Sequence, residues 1–112
     1  MAEFQKAVTL SGGSALMKAA LGHAYAAAGK RTEAERVLGE LFESARQRYV
    51  SPYQIATVYA GLGENDRAFE YLDKAYEERS EWLVYLKGDP RLVRLHADPR
   101  FAEIARRAGL AP

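Results

Sequence analysis

Two stretches of fourteen residues decide the fold of this chain: residues 25–38 read YAAAGKRTEAERVL, and residues 59–72 read YAGLGENDRAFEYL. They lie 34 residues apart and share tyrosine, alanine, glycine, alanine and leucine at the same five offsets. The offset also runs backward, where Phe4 aligns with Leu38 and Leu72. A fixed period of this length is typical of a helical repeat. The sequence therefore contains two whole repeats and the end of an earlier one.

The first repeat divides into two predicted helices. Ser14 is predicted to cap a helix that runs to about Ala28. Gly29 ends this helix, because glycine has no Cβ to oppose a left-handed conformation. Thr32 followed by Glu35 forms a capping-box pattern, which predicts the start of the second helix. Strand-type alternation is absent, so we expect an all-α chain.

The second repeat shows the same division. Ser51 followed by Pro52 predicts a helix start, because proline is favoured in the first helical turn. Gly63 is predicted to end this helix, and Asn65 or Asp66 to cap the next one.

These residues resemble the tetratricopeptide repeat (TPR) family, whose pattern is an aromatic residue, Leu-Gly, Tyr, Ala and a large apolar residue. The first repeat matches with Leu21-Gly22, Tyr25, Ala34 and Leu38, and the second with Ile55-Ala56, Tyr59, Ala68 and Leu72. The chain departs from the pattern with Lys18 and Pro52 at the aromatic position and with Arg46 and Ser80 at the closing proline. The resemblance covers residues 1–79 and implies an α-solenoid of antiparallel helix pairs.

Beyond residue 79 the period fails. Ser80 is predicted to cap a short amphipathic helix that runs through Lys87. Asp-Pro-Arg then occurs at residues 89–91 and again at 98–100, each an Asp cap followed by Pro in the first turn. The second motif begins a final helix that Gly109 ends. Because repeat arrays need an atypical end to cover the last apolar face, this segment is expected to be a helical C-terminal cap.

The C-terminal segment is also similar to the carboxyl tail of TPR regions attached to bacterial regulators, such as winged-helix transcription factors, nucleotide cyclases and protein kinases. That similarity rests on WLVYL at residues 82–86 and on the two Asp-Pro-Arg motifs. It implies that the chain is the regulatory tail of a larger protein or a small stand-alone adaptor.

The expected organisation is one domain in four parts: a half-unit at 1–13, repeats at 14–48 and 49–79, and the cap at 80–112. The half-unit is the second helix of a repeat whose first helix is missing. Three interpretations stay open: the chain belongs to a longer array, the half-unit pairs with another copy, or it folds back on its own neighbour.

Composition limits the classes of partner. The 112 residues are 48% hydrophobic and 28% charged, which is typical of one globular domain. A net charge of +1 argues against binding to nucleic acid or to a membrane surface. The absence of cysteine excludes disulfides and thiolate metal sites. No apolar run approaches the ~20 residues of a spanning helix, and a secretory signal is missing, so a cytoplasmic location is expected.

Charge is nevertheless divided along the chain. Residues 64–81 carry seven acids and three bases, and residues 88–112 carry three acids and five bases. Solvated helix faces are the simpler interpretation, and an oriented dock for a partner or a second copy is the alternative.

Glycine pairs raise the question of a phosphate site. Gly61 and Gly63 are followed by Asp66, where the dinucleotide fingerprint needs its third glycine, and a helix rather than a strand precedes them. Gly29-Lys30 lacks the other glycine and the hydroxyl residue of a phosphate-binding loop. We therefore expect no phosphate cofactor.

Residues for catalysis or metal binding are sparse. His23 and His96 are the two histidines, and neither has a second histidine at ligand spacing. His23 is predicted to lie exposed in the repeat groove, and His96 in the cap. Carboxylate pairs such as Glu33 and Glu35 are predicted on solvated helix surface. We expect no metal, no cofactor and no catalytic residue, and hence no enzyme.

The resemblance places a binding groove on the first helix of each repeat. The matching positions here are Leu16, Ala19, His23, Tyr53 and Thr57. Family members that bind a carboxyl-terminal peptide carry Lys and Asn in this groove. This chain has other residues at the matching positions, and binding of a carboxyl-terminal peptide is therefore not indicated. A small, mildly apolar groove with Tyr53 as anchor suits an extended segment or a helix. The alternative is that these residues pack on a neighbouring helix.

The expected function is non-catalytic protein–protein interaction, in which the groove binds a peptide or helix of a partner. The alternative is self-assembly, in which the half-unit at 1–13 pairs with a second copy to give a homodimer.

Overall fold

The structure is a computed structural model that describes residues 15–47 and 49–109, and within these ranges every regular element is a helix. The helices, in chain order, are α1 (Ala15–Ala27), α2 (Arg31–Ala45), α3 (Pro52–Leu62), α4 (Asn65–Glu77), the 3₁₀ helices η1 (Glu81–Tyr85) and η2 (Pro90–Leu95), and α5 (Pro99–Arg107). The all-α prediction is confirmed. The half-unit at 1–13 and the Ser14 cap lie outside the described residues.

Three predicted caps are present. The Ser51 side chain accepts a hydrogen bond from the backbone N–H of Tyr53 at 3.2 Å and starts α3, with proline in the first turn. Asp89 and Asp98 accept the backbone N–H two residues later, each at 2.9 Å, and start η2 and α5.

The predicted caps of α2 and α4 are wrong. α2 begins at Arg31 with Lys30 as its cap residue, and α4 begins at Asn65 with Glu64 as its cap residue; neither cap side chain makes a capping hydrogen bond. Thr32 therefore lies inside α2, and Asn65 and Asp66 lie inside α4.

α2 and α4 begin earlier than predicted because of the geometry of the glycine that precedes each of them. Gly29 and Gly63 adopt φ of 79° and 78°, as predicted for helix ends. The N–H of the next residue then bonds back five residues, from Lys30 to Tyr25 at 2.8 Å and from Glu64 to Tyr59 at 3.0 Å. One residue thus closes one helix and opens the next, so the turn is shorter than the capping-box pattern assumes.

The helix predicted from Ser80 through Lys87 is instead the five-residue 3₁₀ helix η1. Its bonds join residues three apart, as from the N–H of Leu83 to the carbonyl of Ser80 at 3.2 Å. The bond from the N–H of Leu86 to the carbonyl of Leu83 at 3.1 Å continues this spacing, and it places the buried Leu83 and Leu86 on the same side.

The four long helices form two hairpins that pack side by side. α1 packs on α2, α3 packs on α4, and α1 lies against α3. A Cβ at Gly22 would lie 3.0 Å from Val37 and 3.1 Å from Val58, and a Cβ at Gly61 would lie 2.9 Å from His23. The two glycines therefore stand where the helices approach most closely.

Two apolar clusters lie on either side of α3. One joins α1, α2 and α3 and includes Leu41 and Val58; the other joins α3, α4 and the cap and includes Leu72 and Leu92. α3 contributes to both clusters, and nine of its residues are buried: Pro52, Tyr53, Gln54, Ile55, Ala56, Thr57, Val58, Ala60 and Gly61.

The acidic stretch at 64–81 and the basic stretch at 88–112 form ion pairs with each other. Arg100 of α5 pairs with Asp66 of α4 at 2.9 Å, and Arg107 pairs with Asp73 at 3.5 Å. Arg100 also lies over the ring of Phe69. On its inner face α5 buries Phe101, Ile104 and Ala105, and Gly109 follows with φ of 81°. These opposite charges are thus paired within the chain.

Candidate functional site: the predicted groove and the segment that covers it

The five predicted groove residues differ widely in exposure. Leu16 is 44% exposed and His23 is half-buried, whereas Ala19, Tyr53 and Thr57 have no exposed surface. The interpretation of Tyr53 and Thr57 as an open groove is therefore corrected. Of the predicted groove, only Leu16 and His23 of α1 are accessible, and Ala19 is buried like Tyr53 and Thr57.

Helix η2 covers the face of α3 that would have been open. It packs against α3, and its residues Leu92 and Leu95 have no exposed surface. Side chains three apart lie on the same side of a 3₁₀ helix, so these two leucines enter the core together. The cap thus occupies the face of α3 on which groove residues were predicted.

A hydrogen-bond network stabilises the contact between η2 and α3. The Tyr53 hydroxyl donates to Asp89 Oδ2 at 2.7 Å. The Arg91 guanidinium donates to both oxygens of the same carboxylate, at 3.0 Å from Nε and 2.8 Å from Nη2. Arg91 Nη1 also reaches Gln54 Oε1 at 3.4 Å. Tyr53 is therefore a buried anchor for the chain's own cap.

The network sets the charge state of its members. Burial by itself would raise the pKa of Asp89, but hydrogen bonds from Arg91 and Tyr53 outweigh it and lower the pKa. Burial, followed by the hydrogen bond to Asp89, raises the pKa of Tyr53 well above its ordinary value. Tyr53 therefore stays a neutral donor and Asp89 an ionised acceptor at neutral pH.

His23 borders the same network from α1. Burial and the positive charge of Arg91 lower its pKa, against the opposing effects of Asp89 and of a hydrogen bond with the Arg91 main chain. The imidazole is therefore predominantly neutral at neutral pH. It lies against Gly61, which places it at the seam between α1 and α3.

Thr57 and Gln54 complete the buried polar groups of α3. The Thr57 hydroxyl donates to the Gln54 carbonyl within its own helix at 2.7 Å, so it is not aimed at a ligand. Gln54 is 3% exposed, and its Nε2 has no hydrogen-bond partner within the described structure. Leaving such a donor unpaired costs free energy, which makes this amide the weak point of the contact.

Sequence reasoning missed Asp89 and Arg91 as groove residues, because it interpreted both Asp-Pro-Arg motifs as helix starts alone. The available signal was the spacing of Leu92 and Leu95, which are three residues apart and so lie on one face of a helical turn. His96, predicted in the cap, lies directly after η2 with its ring 4.4 Å from that of Phe101.

Over residues 15–47 and 49–109, no three His, Asp or Glu side chains form a group that could hold a metal ion. None of the helices in this part of the chain is both long and apolar enough to cross a membrane. Comparisons of the chain with family models, curated proteins and solved structures found no significant match.

Proposed function

We propose that this chain is a TPR-like module, a short α-solenoid that binds a partner protein without catalysis. The 34-residue period and the packing of α1 and α3 side by side, each with its own second helix, support this arrangement. The module would act as an adaptor or as the regulatory part of a larger protein.

One observation carries the binding function: large apolar side chains stay exposed although both core clusters are closed. These side chains are Leu16, Val84, Tyr85 and Val93. Tyr49 is also exposed, but its hydroxyl donates to Glu78 at 2.6 Å, and it is not counted among them. Patches of such residues mark interaction surfaces when they are grouped. Leu16 belongs to the accessible part of the concave face on α1, where a peptide or helix of the partner would dock.

The test is to isolate a partner with the immobilised chain, to produce that partner in pure form and to measure the affinity by calorimetry. Leu16→Ser should weaken binding by about tenfold or more, because a buried leucine contributes about 1.5–3 kcal/mol. Tyr49→Ser is the matched control, since it removes another exposed apolar side chain far along the sequence. Equal affinity of the two variants would remove the concave face from the proposal.

Self-assembly through residues 1–13 depends on a segment outside the described structure, and no described residue favours it. Size-exclusion chromatography with light scattering separates the two functions. A chain that stays monomeric at high micromolar concentration contradicts the homodimer.

A further inference from the structure

One face of α1 presents an apolar side chain at one end and an imidazole at the other. Residues three or four apart share a face of an α-helix, and this face carries Leu16, Ala20, His23 and Ala27. Leu16 is 44% exposed, whereas Ala20 and His23 are half-buried. We call these four residues the α1 face. Because His23 follows Leu16 by two helical turns, the two side chains lie about 10 Å apart along the helix axis.

A positive charge lies at the His23 end of the α1 face. His23 packs against Gly61, where an added Cβ would lie 2.9 Å from the imidazole. The Arg94 guanidinium donates to the carbonyl of the same glycine at 3.2 Å. The imidazole and the guanidinium therefore both contact one residue, at the place where α1, α3 and η2 come together.

The charge of Arg94 is not neutralised by an ion pair. Among residues 15–47 and 49–109 no carboxylate pairs with it, and its hydrogen bond goes to a neutral carbonyl. Glu64, which lies close by in the sequence, pairs with Arg31 instead at 3.7 Å. Arg94 is exposed and therefore leaves positive potential beside the α1 face.

The three helices around this place carry no acid. Asp and Glu are absent from α1, α3 and η2, and the capping Asp89 is buried and paired with Arg91. The second helix of each hairpin differs, because α2 and α4 each carry four acids and two bases. A segment with carboxylates is thus attracted to the side formed by α1, α3 and η2 and repelled by α2 and α4.

This distribution decides the kind of occupant. A neutral apolar segment would contact Leu16 but leave the charge of Arg94 without a partner, and a basic segment would be repelled. A segment with both an apolar side chain and a carboxylate matches both ends of the α1 face. Between these ends Ala20 presents only a methyl group, so the backbone of a helix can approach closely.

We propose that the α1 face binds an acidic amphipathic helix of a partner protein. An aliphatic or aromatic side chain of that helix packs on Leu16. A carboxylate two helical turns away on the same helix pairs with Arg94 beside His23. This inference rests on the proposed binding function and names the class of segment that the accessible part of the predicted groove binds.

The test is the selection of random phage-displayed peptides of about sixteen residues on the full chain, a length that allows about four helical turns. The selected peptides should carry Asp or Glu about seven positions from an aliphatic or aromatic residue, which is two turns of a helix. Their synthetic versions should bind at least about fivefold more weakly in about 0.5 M NaCl than in about 0.05 M NaCl, because salt screens exposed charges.

Variants locate the contact. Arg94→Gln removes the charge but keeps a donor for the Gly61 carbonyl, and it should lower the affinity of the selected peptide by about fivefold and reduce its salt dependence. Leu16→Ser should lower the same affinity by about tenfold. Arg36→Gln is the matched control, because Arg36 is an exposed arginine of α2 that pairs with no carboxylate of the described chain. Circular dichroism confirms that each variant keeps its helices.

The outcomes separate this inference from the proposed function. Peptides that Leu16→Ser weakens and Arg94→Gln does not, or selected peptides that are neutral or basic, overturn the acidic helix and leave the binding function intact. Peptides that neither variant weakens contradict both proposals, as does a selection that yields no peptide. Concentration-dependent dimers that Leu16→Ser dissociates would show that the α1 face binds a second copy, which overturns the inference.

Discussion

The two Asp-Pro-Arg motifs have the same local geometry, although only the first is buried. In each motif the Asp carboxylate accepts three hydrogen bonds from the Arg two residues later. One comes from the backbone N–H of that Arg, and two come from its guanidinium. The three residues by themselves therefore determine how the helix starts. They do not determine what surrounds the start.

The partners beyond the motifs make the difference. Asp89 also accepts a bond from the buried Tyr53, and its arginine reaches Gln54 of α3. In the second motif Arg100 reaches the exposed Asp66 of α4. Because burial removes competing water, the same set of bonds stabilises the fold more in the first motif than in the second.

The largest effect is expected for Asp89→Ala. This change leaves the Tyr53 hydroxyl and the Arg91 guanidinium without their acceptor in a buried contact. The free energy of unfolding should fall by about 3 kcal/mol. Urea unfolding at neutral pH measures the loss, and a value near zero would show that η2 is held by its leucines alone.

Low pH should remove the stabilisation that the Asp89 carboxylate contributes. Because hydrogen bonds hold the pKa of Asp89 below its ordinary value of 3.8, the stabilisation is complete above that value and is lost as the pH falls through the folded-state pKa. The difference in unfolding free energy between the natural chain and Asp89→Asn should therefore shrink below about pH 4. A difference that stays constant down to about pH 2 would contradict the ionised acceptor.

A smaller effect is expected for Tyr53→Phe, which removes one bond to the carboxylate and keeps the ring. The free energy of unfolding should fall by about 1.5 kcal/mol. Tyr59→Phe is the matched control in the same helix, because the ring of Tyr59 stacks on Tyr71 at 5.7 Å and is retained. Equal losses in the two variants would mean that the hydroxyl of Tyr53 does not fasten the cap.

The smallest effect is expected for Asp98→Ala in the second motif. Hydrogen bonds from Arg100 lower the pKa of Asp98, but this pair is more exposed than Asp89 and Arg91 are. Asp98→Ala should therefore lower the melting temperature of the chain by less than Asp89→Ala does. Similar melting temperatures for both variants would show that capping, and not burial, controls the two motifs.

Much of the fold was predictable from the sequence. The helix-ending glycines and the Ser51, Asp89 and Asp98 caps follow from local chemistry, because each depends on residues within one turn. The starts of α2 and α4 were missed because Lys30 and Glu64 serve two helices at once. That sharing depends on backbone bonds, which side-chain patterns do not encode.

The candidate site was less predictable. The burial of Tyr53 depends on residues 36 positions away, and a groove inferred from one helix cannot reveal which later segment covers it. Leu16, by contrast, is 44% exposed.

The position of α3 between two apolar clusters has a consequence for how the chain unfolds. Loss of α1 and α2, or of α4 and the cap, exposes one side of a helix that is buried along nearly its whole length. Neither half can then melt without exposing the core of the other, so the repeats behave as one cooperative unit. The backbone amides of α3 should exchange with deuterium only when the whole molecule opens, which makes this helix the slowest-exchanging part of the chain.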